Sequence, residues 1–231
     1  MITSRKTNRK EVYEARRARI SLNSLKAAIA LVSILGALLT SLSAQDLDNP
    51  PSNILRQPGW NYGGELSGGS TIVQSSAPRF VTANLSISNV ALIVHAGLVL
   101  TGEHGSGWIR GTFEWDFSVI PVENFWVLGS HYAGGFEALG PRWNFTNTGR
   151  RVVPFVGLSG GMLFSPNNFP PGRTAQFNFT AAVDAGTHLF LRPRHSFDVG
   201  VRFQHVSNGY LGRLNPGVPL SLQLTLGYSW Y

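Results

Sequence analysis

One segment limits the fold more than any other. Leu220, Leu222, Leu224, Leu226, Tyr228 and Trp230 alternate without a break with Ser221, Gln223, Thr225, Gly227 and Ser229. A period of two is a β-strand with one apolar and one polar face. Its length is close to the roughly 9–11 residues that cross a bilayer at a tilt. Noisier segments of the same kind lie near 60–68, 86–101, 107–119, 129–145, 151–163, 174–190 and 195–208, which makes eight strands. The connections are expected to alternate, short near 102–106, 146–150 and 191–194 and longer near 69–85, 120–128, 164–173 and 209–218. Short turns on one side and long loops on the other fit an all-β chain built as an eight-stranded antiparallel transmembrane β-barrel of the outer membrane. The competing all-β reading is a soluble lipocalin-like barrel with an apolar interior.

The region ahead of the strands favours the membrane reading. Ala27 to Leu39 is an apolar run preceded by a basic stretch and followed by the small polar segment Thr40 to Ala44. That is the order of a secretory signal peptide, and the run is shorter than the roughly 20 residues a spanning helix needs. Residues 1–44 are therefore expected to be a signal peptide with a long basic leader, cleaved after Ser43 or Ala44. Residues 45–58, with three prolines, are expected to be a linker. The barrel then occupies 59–231.

Charge bears on function only once it is divided in this way. The whole chain carries +7, but residues 1–44 hold eight basic and two acidic side chains, leaving eleven arginines and ten carboxylates in the rest. A body so nearly neutral has no basic face for nucleic acid, whatever the overall isoelectric point suggests. A mean hydropathy of +0.02 is also too low for a helical membrane bundle. The absence of cysteine excludes disulfides, thiolate metal sites and cysteine nucleophiles.

Two serine constellations compete for chemistry. Gly157-Leu158-Ser159-Gly160-Gly161 is a literal G-x-S-x-G, followed by Asp184 or Asp198 and then His205 in hydrolase order. That motif needs a sharp strand-to-helix turn, whereas here apolar residues on both sides place the serine inside a strand. The preferred reading is a glycine-rich strand that curves to close the barrel. The second constellation is Phe203-Gln204-His205-Val206-Ser207-Asn208-Gly209. His205 and Ser207 are two apart, so they project from one strand face, near enough for the imidazole to act as general base on the hydroxyl. Their face also carries Phe197, Val199, Val201 and Phe203, the expected lipid side, where polar groups find few partners. If both chain ends are periplasmic, the seventh strand reaches the outside near Asn208, and the pair lies level with the outer leaflet.

These residues resemble a known family. His205-x-Ser207-Asn208 at the end of the penultimate strand, with Asn215-x-Gly217 after a short loop, is similar to the lipid A 3-O-deacylases, eight-stranded outer-membrane esterases. The resemblance implies hydrolysis of the ester that joins a 3-hydroxyacyl chain to the glucosamine disaccharide of lipid A, without metal or cofactor. It makes Ser207 the nucleophile, His205 its base and Asn208 a contributor to the oxyanion hole. Asn215 and Gly217 become supporting loop residues. The family's orienting acid falls, in ungapped register, on Pro219. Asn215, Ser221 or Gln223 stands open as a neutral replacement, and Glu103, Glu114, Asp116 or Glu137 as an acidic one.

The remaining groups have simpler readings. Glu114 and Asp116 share one strand face and read as polar lumen lining. His95, His104, His131, His188 and His195 show no metal-ligand spacing. Among the loop and turn arginines, Arg213 shares a loop with the candidate site and could meet lipid phosphate. The implied partners are lipopolysaccharide and the membrane, with no nucleic acid; nothing in the pattern fixes an oligomeric state. The rival functions are a structural or adhesive barrel that has lost the acid, and a narrow pore.

Overall fold

The computed structural model describes residues 51–73, 86–147 and 151–231. The expected signal peptide, the first part of the expected linker and most of the first long loop lie outside these residues. Nine strand segments are formed: β1 (Gly59–Val73), β2 (Ser88–Val99), β3 (Gly111–Trp126), β4 (Ser130–Leu139), β5 (Pro141–Phe145), β6 (Val152–Phe169), β7 (Ala175–Arg192), β8 (His195–Ser207) and β9 (Val218–Trp230). All pair antiparallel, and β4 and β5 fill one place between β3 and β6. With β2 paired to β3 and β1 to both β2 and β9, the ring closes as an eight-stranded barrel without an edge.

The break between β4 and β5 falls at Gly140, whose main chain runs so close to β3 that an added Cβ would lie 2.0 Å from the Asp116 carbonyl oxygen. The Asp116 N–H donates to Gly140 O at 2.7 Å, so the ladder continues through the break. Only glycine permits that approach.

Side chains alternate as the period of two predicts. Along β9 the leucines, Tyr228 and Trp230 face outward while Ser221, Gln223, Thr225 and Ser229 are buried. The outer surface is a belt of exposed valine, leucine and aromatic side chains, with Trp60, Tyr62, Tyr228 and Trp230 gathered at the end where the described chain starts and finishes. An apolar exterior around a polar interior is the inverse of a soluble barrel and suits a lipid solvent.

The interior has three layers. At the end carrying the 208–217 loop, here the far end, Ile120, Phe125, Leu163, Phe169, Val206 and Val218 belong to one apolar cluster, with the Phe125 and Phe169 rings 4.3 Å apart. The middle is charged. Arg202 pairs with Glu137 and, at 3.1 Å, with Asp184, while Arg142 pairs with Asp116 at 2.6 Å and Glu114 at 3.5 Å. Glu114 also accepts from Asn144 at 2.6 Å and Asn61 at 3.1 Å. Charges held away from water persist only when paired in this way. At the terminal end, Leu55 is 0% exposed and packs with Val99, Val153 and Phe190.

Leu55 belongs to a 3-10 turn, Pro51–Arg56, inside the stretch expected to be linker. Arg56 ties the turn down through Glu103 at 3.3 Å and the Thr146 carbonyl, so this part of the expected linker is packed into the body. A cavity of about 30 Å³ within the charged layer is lined by Asp116, Glu137, Arg142 and Arg202 among others, room for about one water. A lumen filled to this degree disfavours the pore.

The expected loop lengths need correction at three places. Residues 120–126 continue β3, and the chain turns back in Val127 to Gly129, with Leu128 at φ 52°. Residues 164–169 continue β6, leaving 170–174 as the connection. At the opposite end the β2–β3 connection, expected as 102–106, runs from 100 to 110 and holds a short 3-10 turn, Gly107–Ile109.

Candidate active site on the outer face of β8

The alternation along β8 carries the site. Ser196, Asp198, Arg202, Gln204 and Val206 are buried, while Phe203 and His205 are exposed and Ser207 is half-buried on the same outward row. The structure thus places His205 and Ser207 where the sequence does, on the apolar exterior at the far end of the barrel.

On its β9 side, His205 meets an irregular partner. Gln204 pairs with Ser221 and Val206 with Val218, so one residue of β8 faces two of β9, Pro219 and Leu220. This is a β-bulge, and Pro219 suits it because proline has no N–H to give to a ladder. The His205 ring takes up the carbonyl nearby, with Nδ1 2.9 Å from Pro219 O. A carbonyl oxygen only accepts, so Nδ1 carries the proton and Nε2 presents its lone pair. Ser207 and His205 are not joined by a hydrogen bond in this structure, as is common before substrate tightens a site.

On the β7 side Ser207 pairs with Phe179, and β7 continues beyond that level to Ala175. The β6–β7 hairpin therefore rises past the serine. Its outer face stacks Phe164 on Phe177 at 5.1 Å and Phe177 on Phe179 at 5.0 Å, each edge to face. Gly209 lies against this wall, where an added Cβ would stand 3.0 Å from the Phe179 ring.

The loop after β8 is fixed at its base. Asn208 is 1% exposed; its N–H donates to Asn215 Oδ1 at 2.9 Å and its Nδ2 to Leu214 O at 2.8 Å. Leu214 N–H donates to Arg173 O at 2.9 Å, which ties the loop to the β6–β7 hairpin. Gly217, at φ 56°, passes so near β8 that a Cβ would lie 2.3 Å from Val206 O. Asn215 and Gly217 thus shape the loop. Arg213 and Arg173 are exposed on it and beside it.

The replacement acids weighed from sequence do not reach His205. Glu114, Asp116 and Glu137 are buried in the lumen with the two arginines, and Glu103 pairs with Arg56 at the terminal end. Asn215 holds Asn208, and Ser221 and Gln223 point inward, bonded to Gln204. Ser159 lies within β6 and donates to Asp184 of the neighbouring strand β7 at 3.3 Å, while His205 is on the outside of the wall. The G-x-S-x-G match is thereby a curving strand.

A second histidine cluster escaped sequence reasoning. Register places His188 of β7 opposite Asp198 of β8, and His188 Nδ1 donates to Asp198 Oδ1 at 2.7 Å. Ser196 donates to the same oxygen at 2.6 Å and Ser229 to the other at 2.5 Å. The shared face of Ser196 and Asp198 was readable, but their partner depended on strand register. The cluster is buried beneath Tyr231, whose ring stands edge to face over His188. Among the described residues no group of three or more histidine or acidic side chains is arranged to hold a metal ion.

Comparison with known proteins adds to this geometry. A family model described as lipid A 3-O-deacylase (PagL) matches residues 92–229, more than half of the chain and inclusive of His205, Ser207, Asn208 and Asn215. No curated protein sequence gives a significant match. Among solved structures, the outer membrane enzyme PagL aligns at 16% identity with a TM-score of 0.45, covering 74% of this chain and 99% of that one. Neisserial surface protein A aligns at 14% identity and the same TM-score, covering 74% of this chain and 98% of its own.

Proposed function

The chain belongs to the lipid A 3-O-deacylase (PagL) family, and on that premise we propose that it is a serine esterase that removes the 3-O-linked 3-hydroxyacyl chain of lipid A. The observation that carries the mechanism is the position of His205 and Ser207 on the outward apolar row of β8, at the far end of the barrel. With both chain ends in the periplasm after signal-peptide cleavage, the pair faces the outer leaflet, where lipid A presents its ester bonds. The substrate then needs only lateral diffusion to arrive.

In the reaction, Ser207 Oγ attacks the ester carbonyl as its proton passes to His205 Nε2. The carbonyl C–O bond to the sugar breaks, and the imidazolium returns the proton to the departing sugar 3-oxygen. Water, deprotonated by the same nitrogen, then releases the hydroxy acid and frees Ser207. No metal or cofactor takes part. Asn208 supports the oxyanion, and because its N–H and amide are held by Asn215 and Leu214, donation to the developing charge requires an exchange of one of those bonds. Arg213 stands in the same loop, exposed, to meet a lipid phosphate. The aromatic wall of Phe164, Phe177 and Phe179 gives the acyl chain an apolar surface beside the nucleophile.

Mass spectrometry of lipid A from cells expressing the wild type or Ser207→Ala tests the proposal. Loss of one 3-hydroxyacyl mass with the wild type alone is expected. Unchanged lipid A in both strains, with the barrel folded in the membrane, would favour a structural barrel.

A further inference from the structure

The geometry points to the bulge of β9 as the device that orients His205: the main-chain carbonyl of Pro219 does by hydrogen bonding what an acidic side chain does in a triad. This rests on the esterase reading and concerns the one member of the catalytic set that the sequence lacks. Three observations carry it. The bulge places two residues of β9 opposite the single residue His205. An extra residue in a bulge is unpaired in the ladder, and bulges serve elsewhere to re-aim groups beside active sites. Proline at the first of the two positions removes the N–H that regular pairing would use. The carbonyl of that same residue is 2.9 Å from His205 Nδ1.

Two chemical consequences follow. An acceptor on Nδ1 fixes the tautomer with Nε2 unprotonated, the form that can take the serine proton. A neutral carbonyl, unlike a carboxylate, adds no full negative charge to stabilise the imidazolium that forms in the transition state. The site should therefore be correctly aimed yet slower than one with an acid. Pro219 is a positioning residue, since it acts on the reaction only through the imidazole.

The test combines spectroscopy with kinetics on the full barrel refolded in detergent micelles. With ¹⁵N-labelled histidine and the His205→Gln variant to assign the resonance, neutral His205 should show a protonated Nδ1 and an unprotonated Nε2. The opposite tautomer would overturn the inference whatever the activity. In the kinetic arm, Pro219→Glu should raise kcat on the order of tenfold with little change in KM. It should also move the acidic limb of the kcat profile to higher pH, because a carboxylate favours the protonated imidazole. Heat-modifiable migration on a gel checks that this variant is folded. A wild type that releases no fatty acid from lipid A while His205 shows the expected tautomer would remove the esterase reading and keep the orienting bond.

Discussion

Two histidine clusters that share strand β8, the inner one reaching across to His188 of β7, differ in nearly every respect that matters. His188, Asp198 and Ser196 are joined by short hydrogen bonds and sealed in the lumen. His205 and Ser207 are on the outside, and the histidine holds a backbone carbonyl rather than a carboxylate. By hydrogen bonding alone the inner cluster looks more like a catalytic triad. Its completeness has a simpler cause, because polar groups shut away from water must satisfy one another or cost stability. On the proposed reading the outer pair is incomplete because a site that receives a substrate keeps groups unengaged. If the proposal holds, access more than wiring separates chemistry from scaffolding in a barrel whose substrate is a lipid.

Exchanging the clusters' serines gives the largest contrast. Ser207→Ala should lower release of hydroxy acid on the order of 10⁴-fold or more, whereas Ser196→Ala should leave the rate unchanged and lower only stability; assays on micellar lipid A, paired with unfolding curves, separate the two. Breaking the charged layer comes next. Arg202→Ala strands Glu137 and Asp184 and should cost roughly 3–5 kcal/mol, read as a fall in the denaturant midpoint of the refolded barrel. Leu55→Ala opens space under the terminal layer and should cost about 2–4 kcal/mol, measured in the same way, with lipid A activity kept below the new midpoint. Asp198→Asn removes the charge from the inner cluster but keeps its shape. It should lower stability by about 1–3 kcal/mol and leave the pH profile of hydrolysis unmoved, a result that would set the inner histidine apart from the reaction.

The sequence was most legible where lipid wrote on it. Each strand that crosses the apolar belt must alternate, so the eight strands, the outward row of His205 and Ser207 and the inward row of Glu114 and Asp116 could all be read from parity. Legibility failed where that pressure lapses. At Ile120 to Glu123 a bulge with Pro121 reverses the parity of β3, and the interrupted alternation resembles a loop. In Ser165 to Asn168, toward the far end of β6, a polar run continues as strand without an apolar face to mark it. The inner cluster depended on His188 meeting Asp198 across the β7–β8 register, which no local pattern encodes. The partner of His205 is main chain, so its side-chain signal is nil; the proline within a strand was the only hint, and it announces a bulge rather than a bond.

The most direct measurement is covalent. Refolded protein treated with a fluorophosphonate that traps active-site serines, digested and mapped by mass spectrometry, should carry the label on Ser207, and His205→Gln should abolish it. Label on Ser159 or Ser196, or undiminished label in His205→Gln, would contradict a nucleophile that works from the lipid face of β8.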